Sequence, residues 1–79
     1  MAARRLHLTF PRGRIQEPVI GQMTKQFDVM PNIRRANVDH ETGWIDLQLE
    51  GEDTDLNLAI TFLEEHHVTV DPVERDVVE

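Results

Sequence analysis

Apolar residues recur at every second position in four stretches of the chain, and this alternation predicts strands with one face toward a core. The clearest stretch is the third, where Ile45, Leu47 and Leu49 alternate with acidic and amide side chains. Pro11 follows the first stretch and Pro72 stops the last, since proline cannot donate a backbone hydrogen bond. The four expected strands cover residues 6–10, 33–38, 45–49 and 68–71.

Apolar residues spaced by three and four positions predict two amphipathic helices. The first is expected to begin at Pro18, a residue type suited to the first helical position, and Pro31 requires it to end earlier. The second follows the acidic segment 51–55 and is expected to run to about His66. The apolar faces comprise Ile20, Met23 and Phe27 in the first helix, and Leu56, Ala59, Ile60 and Leu63 in the second.

The predicted order strand, helix, strand, strand, helix, strand is typical of the ferredoxin-like α+β fold. In that fold two helices cover one face of a four-stranded antiparallel sheet and leave the other face open. Such open faces are often covered by a second copy of the chain, so we expect a homodimer with Trp44, Arg35 and Asn37 at its interface. The residues in phase with the open face are His7, Thr9, Arg35, Asn37, Asp46, Gln48 and Glu50, with Trp44 at one edge.

Length and composition indicate one soluble domain over residues 1–79, with a core at about 4–72 and a flexible tail at 73–79. No apolar run approaches the roughly 18 residues of a membrane span, so we expect no membrane insertion and a cytoplasmic location. The chain has no cysteine, which excludes disulfides and thiolate metal sites. Its formal net charge of −7 disfavours nucleic acid as a partner.

The sequence offers no arrangement typical of catalysis, so we expect neither an enzyme nor a cofactor. The four histidines, His7, His40, His66 and His67, do not have a chelating spacing, and a metal site is not expected. The turn 13–16 after the first strand is similar to the phosphate loop of acylphosphatases. However, Glu17 adds a negative charge there and Pro18 removes a backbone donor, which favours an ordinary exposed turn.

Several stretches in order resemble the NIL domain family, which is named for an Asn-Ile-Leu at the start of its second strand. Asn32 and Ile33 match this motif, and Arg34 replaces the leucine. The resemblance covers about residues 4–72, and it predicts the same ferredoxin-like fold. The other stretches that carry it are 8–11, 16–20, 43–47 and 63–68.

The resemblance implies a regulatory module that binds a small molecule, without catalysis. NIL domains occur in the ATPase subunits of methionine importers, where they bind methionine and inhibit transport, and beside ferredoxin modules. The family's ligand site, near a dimer interface, would fall on Asn32 and Ile33. The Gln-Glu-Pro and Gly-Trp stretches are more similar to the ferredoxin-associated group, so the expected partner is a transporter or a ferredoxin. A protein-interaction module that binds no ligand is the alternative.

Two residues of the motif have more than one interpretation. A carboxamide such as that of Asn32 suits the zwitterionic head of an amino acid, but an Asn after proline can also bond its local backbone. Arg34 is in phase with Ala36, where a side chain should face the core, and a buried unpaired guanidinium is costly. A bulge could turn Arg34 outward, it could extend past the sheet edge, or it could meet a carboxylate of the protein or of a ligand.

Overall fold

In the part of the chain that the structure describes, four strands form one antiparallel sheet and two helices pack on one of its faces. The computed structural model describes residues 2–11, 19–38 and 43–73. The strands follow the spatial order β2-β3-β1-β4, and every neighbouring pair is antiparallel. The predicted ferredoxin-like α+β fold is confirmed. The elements are β1 (Ala2–Phe10), α1 (Val19–Gln26), β2 (Val29–Val38), β3 (Gly43–Gly51), α2 (Asp53–Glu65) and β4 (Thr69–Pro72).

The core lies between the helices and one face of the sheet. Alternation places Leu6, Leu8 and Phe10 of β1 on that face beside Leu47 and Leu49 of β3, and all five are buried. Burial of each such side chain contributes about 1.5–3 kcal/mol. Residues of α1 and α2, and Val68 after them, complete the core. They are Val19, Met23, Leu56, Ala59, Phe62, Leu63 and Val68.

The end of α2 follows the pattern of a Schellman motif. The N–H of His67 donates to the Glu64 carbonyl, and that of Val68 donates to the Leu63 carbonyl, each at 3.0 Å. His67 has a φ of 68°, so it occupies the left-handed region that favours glycine. The buried Val68 then leads the chain into β4.

The first two strands begin earlier than the alternation predicts. Ala2 at the start of β1 and Val29 at the start of β2 both pair with Gly51, so the end of β3 lies between them. Backbone pairing to β3 therefore extends both strands beyond the stretches in which apolar and polar residues alternate. Pro31 lies inside β2, which is tolerated because β2 is an edge strand.

Several sequence expectations fall outside the described residues. These are the turn 13–16, the helix start at Pro18 and most of the loop 39–43, of which only Gly43 is described, as the first residue of β3. The N–H of Val73 donates to the Arg5 carbonyl at 2.9 Å, so this first residue of the expected tail is bonded to β1. The rest of that tail, 74–79, lies outside the described ranges.

Candidate functional site

The open face of the sheet brings most of the predicted site residues together. Asn32 pairs with Gln48, Asn37 pairs with Trp44, and Arg35 pairs with Asp46 across the β2–β3 ladder. Asp46, Gln48 and Trp44 alternate with the buried leucines of β3, so their side chains lie on the face away from the helices. The set expected on the open face therefore lies there.

Ile33 does not share this face with Asn32. It pairs with Leu47, whose side chain is in the core, so Ile33 lies on the helical face of β2. Its side chain is 56% exposed because β2 is the edge strand of the sheet. The two matched residues of the motif are thus neighbours in the chain whose side chains lie on opposite sides of the sheet.

Arg34 is the extra residue of a β-bulge. The register between β2 and β3 shifts between Ile33 and Arg35, which leaves Arg34 without a paired residue. Its guanidinium Nη2 donates to Gln48 Oε1 at 3.3 Å, so the side chain reaches the open face. The bulge, one of the three alternatives for Arg34, is thus present. The residue consequently adds a positive charge to the same face as Arg35.

Four side chains on the open face form a connected chain of hydrogen bonds, which we call the polar row: Arg34, Gln48, Glu50 and Asn32. Gln48 accepts from Arg34, and its Nε2 donates to Glu50 Oε2 at 3.1 Å. Asn32 Nδ2 donates to the same Glu50 oxygen at 3.3 Å. The described bond of Asn32 is thus to a neighbouring strand instead of its local backbone. Since a carboxamide has two donor hydrogens and an acceptor oxygen, the exposed Asn32 retains capacity for a ligand.

A second cluster on the open face centres on Asp46. His7 Nδ1 donates to Asp46 Oδ1 at 2.5 Å, and Arg35 Nη2 donates to Asp46 Oδ2 at 3.1 Å. The hydrogen bond from His7 lowers the pKa of Asp46 below its ordinary value. The bond from Arg35 and the electrostatic interactions with His7 and Arg35 also lower this pKa, and partial burial opposes them. The ring of His7 also stacks on Trp44, with centroids 5.4 Å apart and planes 25° apart.

An open depression of about 210 Å³ lies beside the polar row, where β2 begins and β3 ends. We call it the acidic depression because three of its six lining residues are carboxylates. Glu50 belongs to both features, and it pairs with Met30, which is 61% exposed. The lining residues are Asp28, Val29, Met30, Glu50, Gly51 and Glu52.

The acidic depression was not expected from the sequence. The alternation in β3 predicted that Glu50 lies on the open face. Asp28 precedes β2 and Glu52 precedes α2, and no local sequence pattern indicates that these two residues lie close to Glu50. The strand register is the feature that would have predicted the acidic depression. Val29 pairs with Gly51, and this pairing brings the residues on either side of them together. That register follows from a hairpin whose bulge cannot be located by alternation alone.

Comparison with known proteins identifies the family. A sequence model of the NIL domain matches residues 4–72. This chain belongs to the NIL domain family. The family membership predicted from the Asn-Ile stretch and its companions is therefore confirmed.

Relatives of this NIL domain include proteins named as methionine import ATP-binding proteins. MetN 2 of Acinetobacter baylyi is 47% identical over 67 residues, which cover 80% of this chain and 20% of the relative. MetN 1 of Bacillus cereus is 34% identical over 73 residues, which cover 87% of this chain and 21% of the relative. The chain thus spans about a fifth of the length of these relatives.

A solved structure has the same fold. The C-terminal domain of an ABC transporter ATP-binding protein from Enterococcus faecalis superimposes with a TM-score of 0.76 at 20% identity. The match covers 92% of this NIL domain and 86% of that chain. Neither of the two described helices is long and apolar enough to cross a bilayer. Within the described ranges, no three His, Asp or Glu side chains are arranged to hold a metal ion.

Proposed function

We propose that this NIL domain is a cytoplasmic, non-catalytic regulatory module that binds a small amino acid at the polar row. The observation that carries the proposal is the exposed Asn32 carboxamide, which lies on the open face next to the acidic depression. A small-molecule site needs a concave surface with a few convergent polar groups, and both are present here. The names of the relatives make methionine the first candidate ligand.

Ligand binding would regulate the protein by changing its equilibrium between monomer and homodimer. A homodimer with Trp44, Arg35 and Asn37 at its interface would place the polar rows of two chains close to the contact. A ligand that binds one assembly state more tightly shifts the equilibrium toward it. The partner that responds would be a transporter, as the relatives' names suggest, or a ferredoxin. Ile33 would contribute through its backbone, because its side chain lies on the helical face.

The experiment is a thermal shift screen of the purified chain against the common amino acids at millimolar concentration. A ligand present at about 100 times its Kd adds about 2.7 kcal/mol to the free energy of unfolding, which raises the melting temperature by several degrees. Asn32→Ala should remove the shift. Gln22→Ala is the control, since Gln22 is an exposed carboxamide on α1 and lies outside the open face. If no amino acid shifts the melting temperature, the binding proposal is rejected; turnover of an acyl phosphate would contradict the non-catalytic part.

The second candidate is a protein-interaction module that binds no ligand, and a feature of the sheet edges supports it. The outer edge of β2 is interrupted by Pro31 and by the bulge at Arg34, and β4 has only four residues and ends at Pro72. Proline and bulges hinder the addition of another strand, so a partner would contact the open face. There the stacked Trp44 and His7 offer an aromatic anchor.

A pull-down with a ferredoxin or transporter partner separates the two candidates. Capture that survives Asn32→Ala and is lost in Trp44→Ala would favour the interaction module. Capture that depends on an added amino acid, and that Asn32→Ala abolishes, would favour the ligand-binding module.

A further inference from the structure

The polar row contains two opposite charges, Arg34 and Glu50, that have no ion-pair partner among the described residues. Arg34 donates to the neutral Gln48, and Glu50 accepts from the neutral amides of Gln48 and Asn32. The neighbouring Arg35 differs, because its guanidinium lies 3.1 Å from the Asp46 carboxylate. Arg34 and Glu50 therefore lie on the open face as a cation and an anion that are not joined to another described residue by a salt bridge.

The Gln48 carboxamide that connects these charges offers an acceptor to Arg34 and a donor to Glu50, as the head of an α-amino acid would. The guanidinium of Arg34 and the carboxylate of Glu50 are separated by the Gln48 carboxamide and its two hydrogen bonds, of 3.3 and 3.1 Å. An amino-acid zwitterion bound between them has the same parts in the same order. Its carboxylate would accept a hydrogen bond from Arg34, and its ammonium group, joined to the carboxylate through Cα, would donate a hydrogen bond to Glu50. It would lie over Gln48, with Asn32 beside it.

We propose that Arg34 binds the α-carboxylate and Glu50 binds the α-ammonium group of the ligand, an inference that rests on the proposed function. Both contacts are charge-assisted hydrogen bonds, which are stronger than neutral ones. Arg34 then supplies a ligand contact that a leucine at this position cannot make. Asn32 adds a neutral contact to the same head group.

The acidic depression determines which class of ligand side chain can bind. Its lining includes Val29, Gly51 and the exposed Met30, so it suits an apolar side chain. Asp28, Glu50 and Glu52 bring three negative charges to the same space. An acidic ligand side chain would be repelled there, since like charges close together disfavour binding. The ligand class is therefore an α-amino acid with a neutral or basic side chain, and aspartate and glutamate are excluded.

The test compares L-methionine with two analogues by calorimetry. L-methioninamide lacks the carboxylate, and N-acetyl-L-methionine lacks the ammonium group. The wild-type chain should bind each analogue at least about tenfold more weakly than methionine. Arg34→Gln should abolish the difference between methionine and its amide, and Glu50→Gln should abolish the difference between methionine and its N-acetyl form. Arg34→Lys, which keeps the charge, should retain part of the first difference.

Lys25→Gln is the control, because Lys25 is an exposed cation on α1 and lies outside the open face. It should leave both analogue differences unchanged. If methionine binds but Arg34→Gln and Glu50→Gln preserve the differences, this inference is overturned while the proposed function stands. If the wild-type chain binds no amino acid at millimolar concentration, both are overturned.

Side-chain selectivity is tested with L-glutamate and L-lysine as probes. Glutamate should bind at least about tenfold more weakly than methionine, and the variant with Asp28→Asn and Glu52→Gln should narrow that difference. Lysine should lose affinity in the same variant. Equal affinity of the wild-type chain for glutamate and methionine would overturn the assigned ligand class.

Discussion

Asn32 and Glu50 are joined by a side-chain hydrogen bond of 3.3 Å across the β2–β3 ladder. The bond connects the amide of the NIL motif to a carboxylate that also lines the acidic depression. Because Asn32 is exposed, a ligand can reach this pair from the open face without entering the core. The geometry thus connects the motif to the acidic depression.

Any side chain at Gly51 is expected to destabilise the fold. A Cβ atom at this position would lie 2.8 Å from the Asp28 carbonyl oxygen and 3.3 Å from Val29 Cγ1. The backbone oxygen can move only if the start of β2 moves, so Gly51→Ala should lower the free energy of unfolding by about 1–3 kcal/mol. Urea denaturation measures the change.

Gly21→Ala is the control for that substitution. Nothing lies within 4 Å of a Cβ atom at Gly21, which is exposed within α1. Alanine should therefore raise the free energy of unfolding by about 0.5–1 kcal/mol. Similar effects of the two substitutions would argue against the close approach of β2 and β3 at Gly51.

His67→Gly is expected to stabilise the chain. The φ of 68° at His67 places a non-glycine residue in the left-handed region, which costs about 1 kcal/mol. Glycine should raise the free energy of unfolding by about 0.5–1 kcal/mol, whereas His67→Ala should give no comparable gain. A loss of stability in His67→Gly would show that the histidine side chain contributes more than its backbone conformation costs.

Asp46→Asn is expected to destabilise the chain at neutral pH by about 1–2 kcal/mol, because His7 and Arg35 lose a charged acceptor. The folded-state pKa of Asp46 is lowered, so its carboxylate stabilises the fold above the unfolded-state pKa. That contribution is lost as the pH falls through the folded-state value. The difference between wild type and variant should therefore shrink below about pH 4.

Denaturation at several pH values measures this difference. Glu64→Gln, on the exposed side of α2, is the control and should change the free energy of unfolding by less than about 0.5 kcal/mol at any pH. A difference between wild type and Asp46→Asn that stays constant down to acid pH would contradict the role of the His7 bond.

Trp44→Ala is expected to weaken self-association. Trp44 is half-buried in the monomer and stacks on His7, so its exposed part is available to a second copy of the chain. Sedimentation velocity should show a dimer for the wild type and a larger share of monomer for the variant. Thr61→Ala, on the exposed side of α2, should leave the distribution unchanged. A wild-type chain that stays monomeric at high concentration would reject the homodimer.

Alternation was sufficient to predict the sheet faces of β1 and β3. Every second residue from Leu6 to Phe10 and from Leu47 to Leu49 is buried, and the polar residues between them lie on the open face. In α2, Ile60 was expected in the core but is half-buried, and Phe62 is buried in its place. Helical spacing alone does not decide which of two neighbouring helix faces is buried. Phe62 is buried because it contacts Phe27, near the end of α1, and this contact depends on tertiary packing.

The site was less accessible to sequence reasoning than the fold. Asn32 and Arg34 were named from the motif, but alternation placed Arg34 with Ala36 because an added residue in a strand leaves no local pattern. The polar row also requires Gln48 and Glu50 to lie opposite β2, which depends on strand register. The hydrogen bonds of Gln48 and Glu50 to side chains of β2 therefore could not be predicted without the register of the β2–β3 pairing.

Titration calorimetry of wild type, Asn32→Ala and Gln22→Ala is the most direct test of the central claim that Asn32 binds an amino acid on the open face. The titrant is the amino acid that gives the largest thermal shift. Wild type and Gln22→Ala should show saturable binding, and Asn32→Ala should bind at least about tenfold more weakly. Equal affinity of Asn32→Ala and wild type, or no binding heat from any amino acid, would contradict it.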